Sequence, residues 1–193
     1  SGGWTGARTF ASRTAVSSRY PVSMHGSPRW VSPPALLYVV GLIAGCGSND
    51  TRKSQKLAER CRKAGADALL VVTPYYNKPT PRGLVEHFRA VADAGHLPLV
   101  AYNVPGRTGL NMLPETVLQL AEDPRVCAVK EASGSLDQAC EILRHRPAGF
   151  SVLSGEDSLA LPMIACGADG VIAVVSNEAP ALYVELITAG LNG

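Results

Sequence analysis

The stretch Ala68-Leu69-Leu70-Val71-Val72-Thr73-Pro74-Tyr75-Tyr76-Asn77-Lys78-Pro79-Thr80-Pro81 decides the fold. Its first five residues are continuously apolar, as expected of a strand covered on both faces. Thr80 and Pro81 then supply a helix cap and a proline at the first helical position. Leu84, Val85, Phe88, Val91 and Ala92 follow on one helical face. The unit is strand, polar loop, amphipathic helix. Outward from it the unit repeats. Toward the C-terminus, strands are expected over Leu97–Tyr102, Val126–Lys130, Phe150–Ser154 and Gly170–Val175. Helices lie between them, one from Pro114 through Val117, Leu118 and Ala121, and another follows Pro180. Toward the N-terminus, Val39-Val40-Gly41-Leu42-Ile43-Ala44 is an apolar run. Asp50 or Thr51 then caps a helix bearing Leu57, Ala58, Cys61 and Ala64, which Gly65 closes.

Six such units imply a parallel sheet with helices outside it. Two closures fit, an open doubly wound sheet and an eight-stranded barrel. No G-x-G-x-x-G or G-x-x-x-x-G-K-[ST] follows any strand, which weakens the nucleotide-binding open sheet. In both closures chemistry belongs at the carboxyl ends of the strands. There stand Gly47-Ser48-Asn49, Tyr75-Tyr76-Asn77, Tyr102-Asn103, Lys130-Glu131, Ser154-Gly155-Glu156-Asp157 and Ser176-Asn177.

Composition excludes several classes. The 193 residues suffice for one domain with a core. A net charge of +2 favours neither nucleic acid nor a membrane surface. No apolar run reaches the roughly 18 residues that a spanning helix needs. The five cysteines, Cys46, Cys61, Cys127, Cys140 and Cys166, are odd in number and lack C-x-x-C spacing. Neither a disulfide framework nor a zinc site is expected, and a reducing cytoplasm is. Residues 1–49 contain no Asp or Glu, only Arg8, Arg13, Arg19 and Arg29 as formal charges. Residues 1–38 therefore read as an atypical segment, and 39–193 as the catalytic domain.

Lys130 ends an apolar strand. A lysine there must neutralise, pair or react, because an unpaired buried ammonium is costly. Burial favours the neutral amine that attacks a carbonyl. An ion pair with Glu131 or Asp157 is the structural alternative. Tyr102 sits one strand earlier at comparable depth, placed to move protons at a Schiff-base lysine. Its alternative is a hydroxyl donating to a backbone carbonyl. Arg107, on a turn above the same rim, suits bidentate capture of a carboxylate; its alternative is a solvated loop charge.

Taken together, Val72-Thr73-Pro74-Tyr75-Tyr76-Asn77-Lys78-Pro79-Thr80, Tyr102-Asn103-Val104-Pro105-Gly106-Arg107-Thr108-Gly109, Val129-Lys130-Glu131-Ala132-Ser133-Gly134, Leu153-Ser154-Gly155-Glu156-Asp157 and Gly170-Val171-Ile172 resemble the dihydrodipicolinate synthase family in order and spacing. Ile43-Ala44-Gly45-Cys46-Gly47-Ser48-Asn49 resembles the family's I-A-G-T-G-S-N, with Cys46 in place of Thr. The resemblance covers about residues 39–193. It implies a (β/α)₈ TIM barrel, usually a homotetramer, working without metal or organic cofactor. It implies pyruvate and aspartate β-semialdehyde as substrates, joined through a lysine Schiff base on the route to lysine and diaminopimelate. By the same resemblance Lys130 is the nucleophile and Tyr102 the proton-transfer residue. Tyr76 belongs to a relay completed across a subunit interface, Arg107 holds the semialdehyde's carboxylate side, and the Ile172 backbone faces pyruvate. Sister lyases acting on sialic acid or sugar acids share the Tyr and Lys but typically lack the arginine.

The family's first two strands, the second with G-T-T-G-E, have no counterpart in residues 1–38, and its C-terminal helical region is not reached. The expectation is an incomplete barrel behind out-of-frame or mis-joined sequence, with an inactive fragment or a non-catalytic regulator as alternatives. An acid-free leader also describes an organelle transit peptide. A further rival reads Ala35 to Cys46 as a secretion segment ending in a lipoprotein box, which would make a lipid-anchored binding protein.

Overall fold

A computed structural model describes residues 41–193. The atypical segment 1–38 and the residues Ala35–Val40 of the lipoprotein reading lie outside the described residues. Six strands form one sheet: β1 Ile43–Gly45, β2 Ala68–Val72, β3 Leu99–Asn103, β4 Val126–Glu131, β5 Ser151–Ser154 and β6 Gly170–Val171. All pairings are parallel and the order is β1-β2-β3-β4-β5-β6. A doubly wound sheet reverses its strand order at a switch point. Among the described residues no reversal occurs, and the winding is that of a TIM barrel, of which they supply six consecutive strands.

The helices are α1 Thr51–Lys63, α2 Pro81–Gly95, α3 Pro105–Thr108, α4 Pro114–Ala121, α5 Leu136–His145, α6 Ala160–Ala165 and α7 Pro180–Asn192. Two buried layers separate the faces of the sheet. Leu69, Val71, Leu99, Ala101, Val129 and Val152 pack outward on Ala58, Phe88, Val117, Leu120 and Ile142 of the helices. Val100, Ala128, Leu153 and Ile172 pack on the other face, against Ile43 and Leu70, as the interior of the curl. At Gly95, where α2 crosses the sheet, a Cβ would lie 2.4 Å from Leu69 Cδ1 and 3.3 Å from Ala58 Cβ, so the helix approaches closely there.

Local signals account for most element ends. Asp50, not Thr51, is the cap of α1; its side chain accepts from Lys53 N at 2.9 Å. Thr80 Oγ1 accepts from Gly83 N at 3.2 Å, and Pro81 opens α2 as expected. β3 begins at Leu99 rather than Leu97, because Pro98 has no N–H to give the ladder and contributes only its carbonyl, to Leu69 N. The strand expected over Gly170–Val175 is only two residues long. The Asp157 carboxylate takes the N–H groups of Val174 (3.0 Å) and Val175 (3.1 Å), so these cannot continue the ladder and instead enter a short 3₁₀ turn, Val175–Asn177.

Cys46, the residue on which the lipoprotein reading depends, is buried in the helix–sheet layer. Its N–H donates to Leu70 O at 3.0 Å, and burial pushes its thiol up to about 12. A lipid on Cys46 would require this thiol to leave the core. All five thiols are free. Among the described residues no helix is long and apolar enough to cross a membrane.

His87 breaks the apolar face of α2. Its Nδ1 lies 2.9 Å from Thr51 Oγ1, and its buried Nε2 has no hydrogen-bond partner among the described residues. Desolvation lowers its pKa from 6.5 to about 4, opposed by the charge of Asp50. The folded state thus binds this proton less readily than the unfolded chain. The fold should lose stability as pH falls from 6.5 toward 4, by at most about 3 kcal/mol from this group. In His87→Gln, chemical denaturation across that window is expected to show a flatter dependence on pH.

Candidate active site

β3 and β4 bring the two chemical groups together. Register pairs Tyr102 with Lys130, and Lys130 Nζ lies 4.2 Å from the centroid of the Tyr102 ring. Lys130 is 8% exposed. Desolvation lowers its pKa from the ordinary lysine value, while the charges of Asp157 and Glu156 partly oppose this. The ring face attracts the ammonium only weakly compared with a carboxylate. Neither proposed ion pair forms. Glu131 points to the helix layer, where it accepts from Asn103 Nδ2 (3.0 Å), Ser133 N (2.6 Å) and Gln138 Nε2 (3.2 Å). Asp157 is occupied by the Val174 and Val175 amides. Among the described residues Lys130 makes no ion pair.

Tyr102 is half-buried at the same rim. Burial raises its pKa, the nearby Arg107 guanidinium lowers it, and Glu156 raises it. Its hydroxyl donates to no backbone carbonyl of the described residues. Arg107 stands on α3, a single turn closed by Gly109 at φ 73°, and is exposed. It therefore sits above the rim, close enough to act electrostatically on Tyr102. Ile172 is buried in the interior layer, its N–H donating to Ser154 O at 2.9 Å.

Tyr76 is not brought into this group; its side chain is 87% exposed. Its backbone is nevertheless fixed. Tyr76 N donates to Thr108 O at 3.0 Å, which ties the loop after β2 to α3, and Asn77 Nδ2 donates to Asn49 O at 2.7 Å. Tyr76 (φ 71°) and Lys78 (φ 47°) both occupy the left-handed region, which non-glycine residues rarely enter.

Two features of the site were not legible in the sequence. One is the steric role of Gly155. A Cβ on it would lie 2.6 Å from Ala132 Cβ and 3.0 Å from Lys130 Cε, so only glycine leaves room for the Lys130 stem. The other is the Asn103–Glu131 pair behind the strands. No group of three or more His, Cys, Asp or Glu that could hold a metal occurs among the described residues.

The profile of the Dihydrodipicolinate synthetase family matches residues 38–193. The 4-hydroxy-tetrahydrodipicolinate synthase of Geobacter sulfurreducens is 53% identical over 154 residues, which is 80% of this chain and 53% of that protein. The dihydrodipicolinate synthase of Aquifex aeolicus superposes with a TM-score of 0.78 at 45% identity, covering 80% of this chain and 53% of that one. The chloride-inhibited enzyme from Acinetobacter baumannii, solved in complex with pyruvate, gives 0.77 at 40% identity, covering 80% and 53%. The chain spans about half the length of the relatives it matches. With residues 38–193 matched by the family profile and half the positions shared with a named synthase, the chain belongs to the dihydrodipicolinate synthetase family.

Proposed function

We propose that this chain carries the Schiff-base half of a 4-hydroxy-tetrahydrodipicolinate synthase. The observation that carries the reading is Lys130, buried, making no ion pair among the described residues and poised over Tyr102. Burial keeps a larger share of the amine neutral, and the neutral amine attacks C2 of pyruvate. The carbinolamine loses its hydroxyl as water, with Tyr102 passing protons to and from the leaving oxygen. Loss of a C3 proton gives the enamine, which adds to the aldehyde carbon of aspartate β-semialdehyde. Cyclisation through the substrate's own amine returns Lys130 to the free state.

Arg107 selects the acceptor. Its exposed fork above the rim matches a carboxylate on the incoming aldehyde. The exposed Tyr76, on a strained loop tied to α3, suits a relay completed by another subunit of a homotetramer. Five free thiols suit a cytoplasmic enzyme.

The test is pyruvate consumption with aspartate β-semialdehyde as acceptor, compared with N-acetylmannosamine as the acceptor of the sialic-acid lyases. Preference for the semialdehyde supports the reading; preference for the sugar overturns the substrate assignment. Arg107→Ala is expected to raise KM for the semialdehyde about 10-fold, as loss of one exposed charge-assisted contact, and to leave pyruvate adduct formation unchanged.

A further inference from the structure

Lys130 faces the interior because β4 holds one residue more than its partner. Leu99 pairs with Val126, but Val100 pairs with Ala128, so Cys127 has no opposite number on β3. Its thiol donates to Leu99 O at 3.5 Å. Cys127 and Ala128 both pack on the interior layer, while Val126 and Val129 both pack on the helix layer. This is a β-bulge. Strict alternation from Val126 would send Lys130 to the helices and Glu131 to the interior. The extra residue inverts the phase, and so decides which side chain reaches the pocket.

The inverted phase is held from behind. Asn103 and Glu131 are register partners one residue beyond Tyr102 and Lys130, on the opposite face. Glu131 is 2% exposed, and all its side-chain partners are donors: Asn103 Nδ2, Ser133 N and Gln138 Nε2. Asn103 is anchored in turn, accepting from Met112 N at 2.9 Å and donating to Asn111 Oδ1 at 2.8 Å. A slip of β4 by one residue would strip the carboxylate of these donors and bury Lys130 among apolar helix side chains. Both changes are expensive. We propose that Asn103 and Glu131 form a register lock on the bulged strand, positioning Lys130 and Tyr102 without touching substrate. The geometry stands alone; its consequence for turnover rests on the Schiff-base reading.

The test uses the full chain with Glu131→Gln, which sets an amide N–H₂ against that ring of donors. Three quantities are read: acetic anhydride labelling of Lys130 against pH by peptide mass spectrometry, borohydride trapping of pyruvate, and the melting temperature. The lock predicts that the labelling limb moves up toward ordinary lysine and that trapping slows about 100-fold, the scale of an ångström-level misplacement. Glu131→Asp should recover part of both. Asp123→Asn is the control: it breaks the Arg125 pair at the far end of β4 and should lower the melting temperature without moving the limb. A Glu131→Gln protein that melts lower yet keeps the Lys130 limb in place overturns the lock. If Glu131→Gln does not fold, Gln138→Met removes one of the three donors to Glu131, together with the Gln138 contacts to Asn111 and Met112, and must displace the limb the same way, or the lock fails. An unsubstituted protein with a low Lys130 limb that traps no pyruvate refutes the Schiff-base reading, and the limb alone then decides the lock.

Discussion

Lys130→Met should abolish pyruvate chemistry and, at neutral pH, raise the melting temperature. Loss of the nucleophile removes the covalent route, so the turnover rate is expected to fall at least about 10⁴-fold. The stability change has the opposite sign for an electrostatic reason. Burial holds the folded-state pKa of Lys130 below that of the unfolded chain. The unfolded chain therefore binds this proton more readily, and the group costs stability at pH below its folded pKa. That cost is relieved as pH rises toward the ordinary lysine value of 10.5. Methionine fills a similar volume without the charge, so its advantage should be largest at neutral pH and should shrink in alkali. A structural ion pair would give the reverse, with destabilisation on removal. Thermal melts from pH 6 to pH 10, run beside the turnover assay, separate the two.

Gly155→Ala should be nearly as damaging without removing any chemical group. The added methyl would meet Ala132 Cβ at 2.6 Å, Lys130 Cε at 3.0 Å and Lys130 Cγ at 3.2 Å. Ala132 has no rotamer with which to yield, and Gly155 itself is fixed by its N–H bond to Glu131 O at 2.7 Å. The Lys130 stem must move. Overpacking of this kind costs about 1–3 kcal/mol, and displacement of the amine should slow pyruvate adduct formation about 100-fold. Denaturant titration and trapping rates on the same preparation measure both effects. Unchanged trapping with normal stability would show that the Lys130 side chain leaves Gly155 free space in solution.

The strand–helix alternation was legible because its signals are local. The apolar runs, the Thr80-Pro81 start and the Asp50 cap each act within a few residues, and the order of elements follows them, with β3 beginning two residues later and β6 ending four residues earlier than the runs suggest. The depth of Lys130 and its nearness to Tyr102 were legible for the same reason. The face that Lys130 takes was not. It depends on the Cys127 bulge, and one unpaired residue in an apolar strand leaves no mark on a hydrophobic pattern. β6 was expected, but its shortness was not legible, because a carboxylate more than a dozen residues upstream, on Asp157, captures the amides of Val174 and Val175. Gly155 stands in the Leu153–Asp157 motif, but the reason for a glycine there is seen only when the Lys130 stem is found against it.

The central claim is that Lys130 forms a Schiff base with pyruvate, and the most direct measurement is borohydride reduction in the presence of pyruvate followed by peptide mass spectrometry. One pyruvate-derived adduct is expected, on the peptide containing Lys130, absent in Lys130→Met. The adduct yield should rise with pH at values below those of a free lysine. A folded protein that gains no adduct, or gains it on another lysine, would show that Lys130 is not the Schiff-base nucleophile.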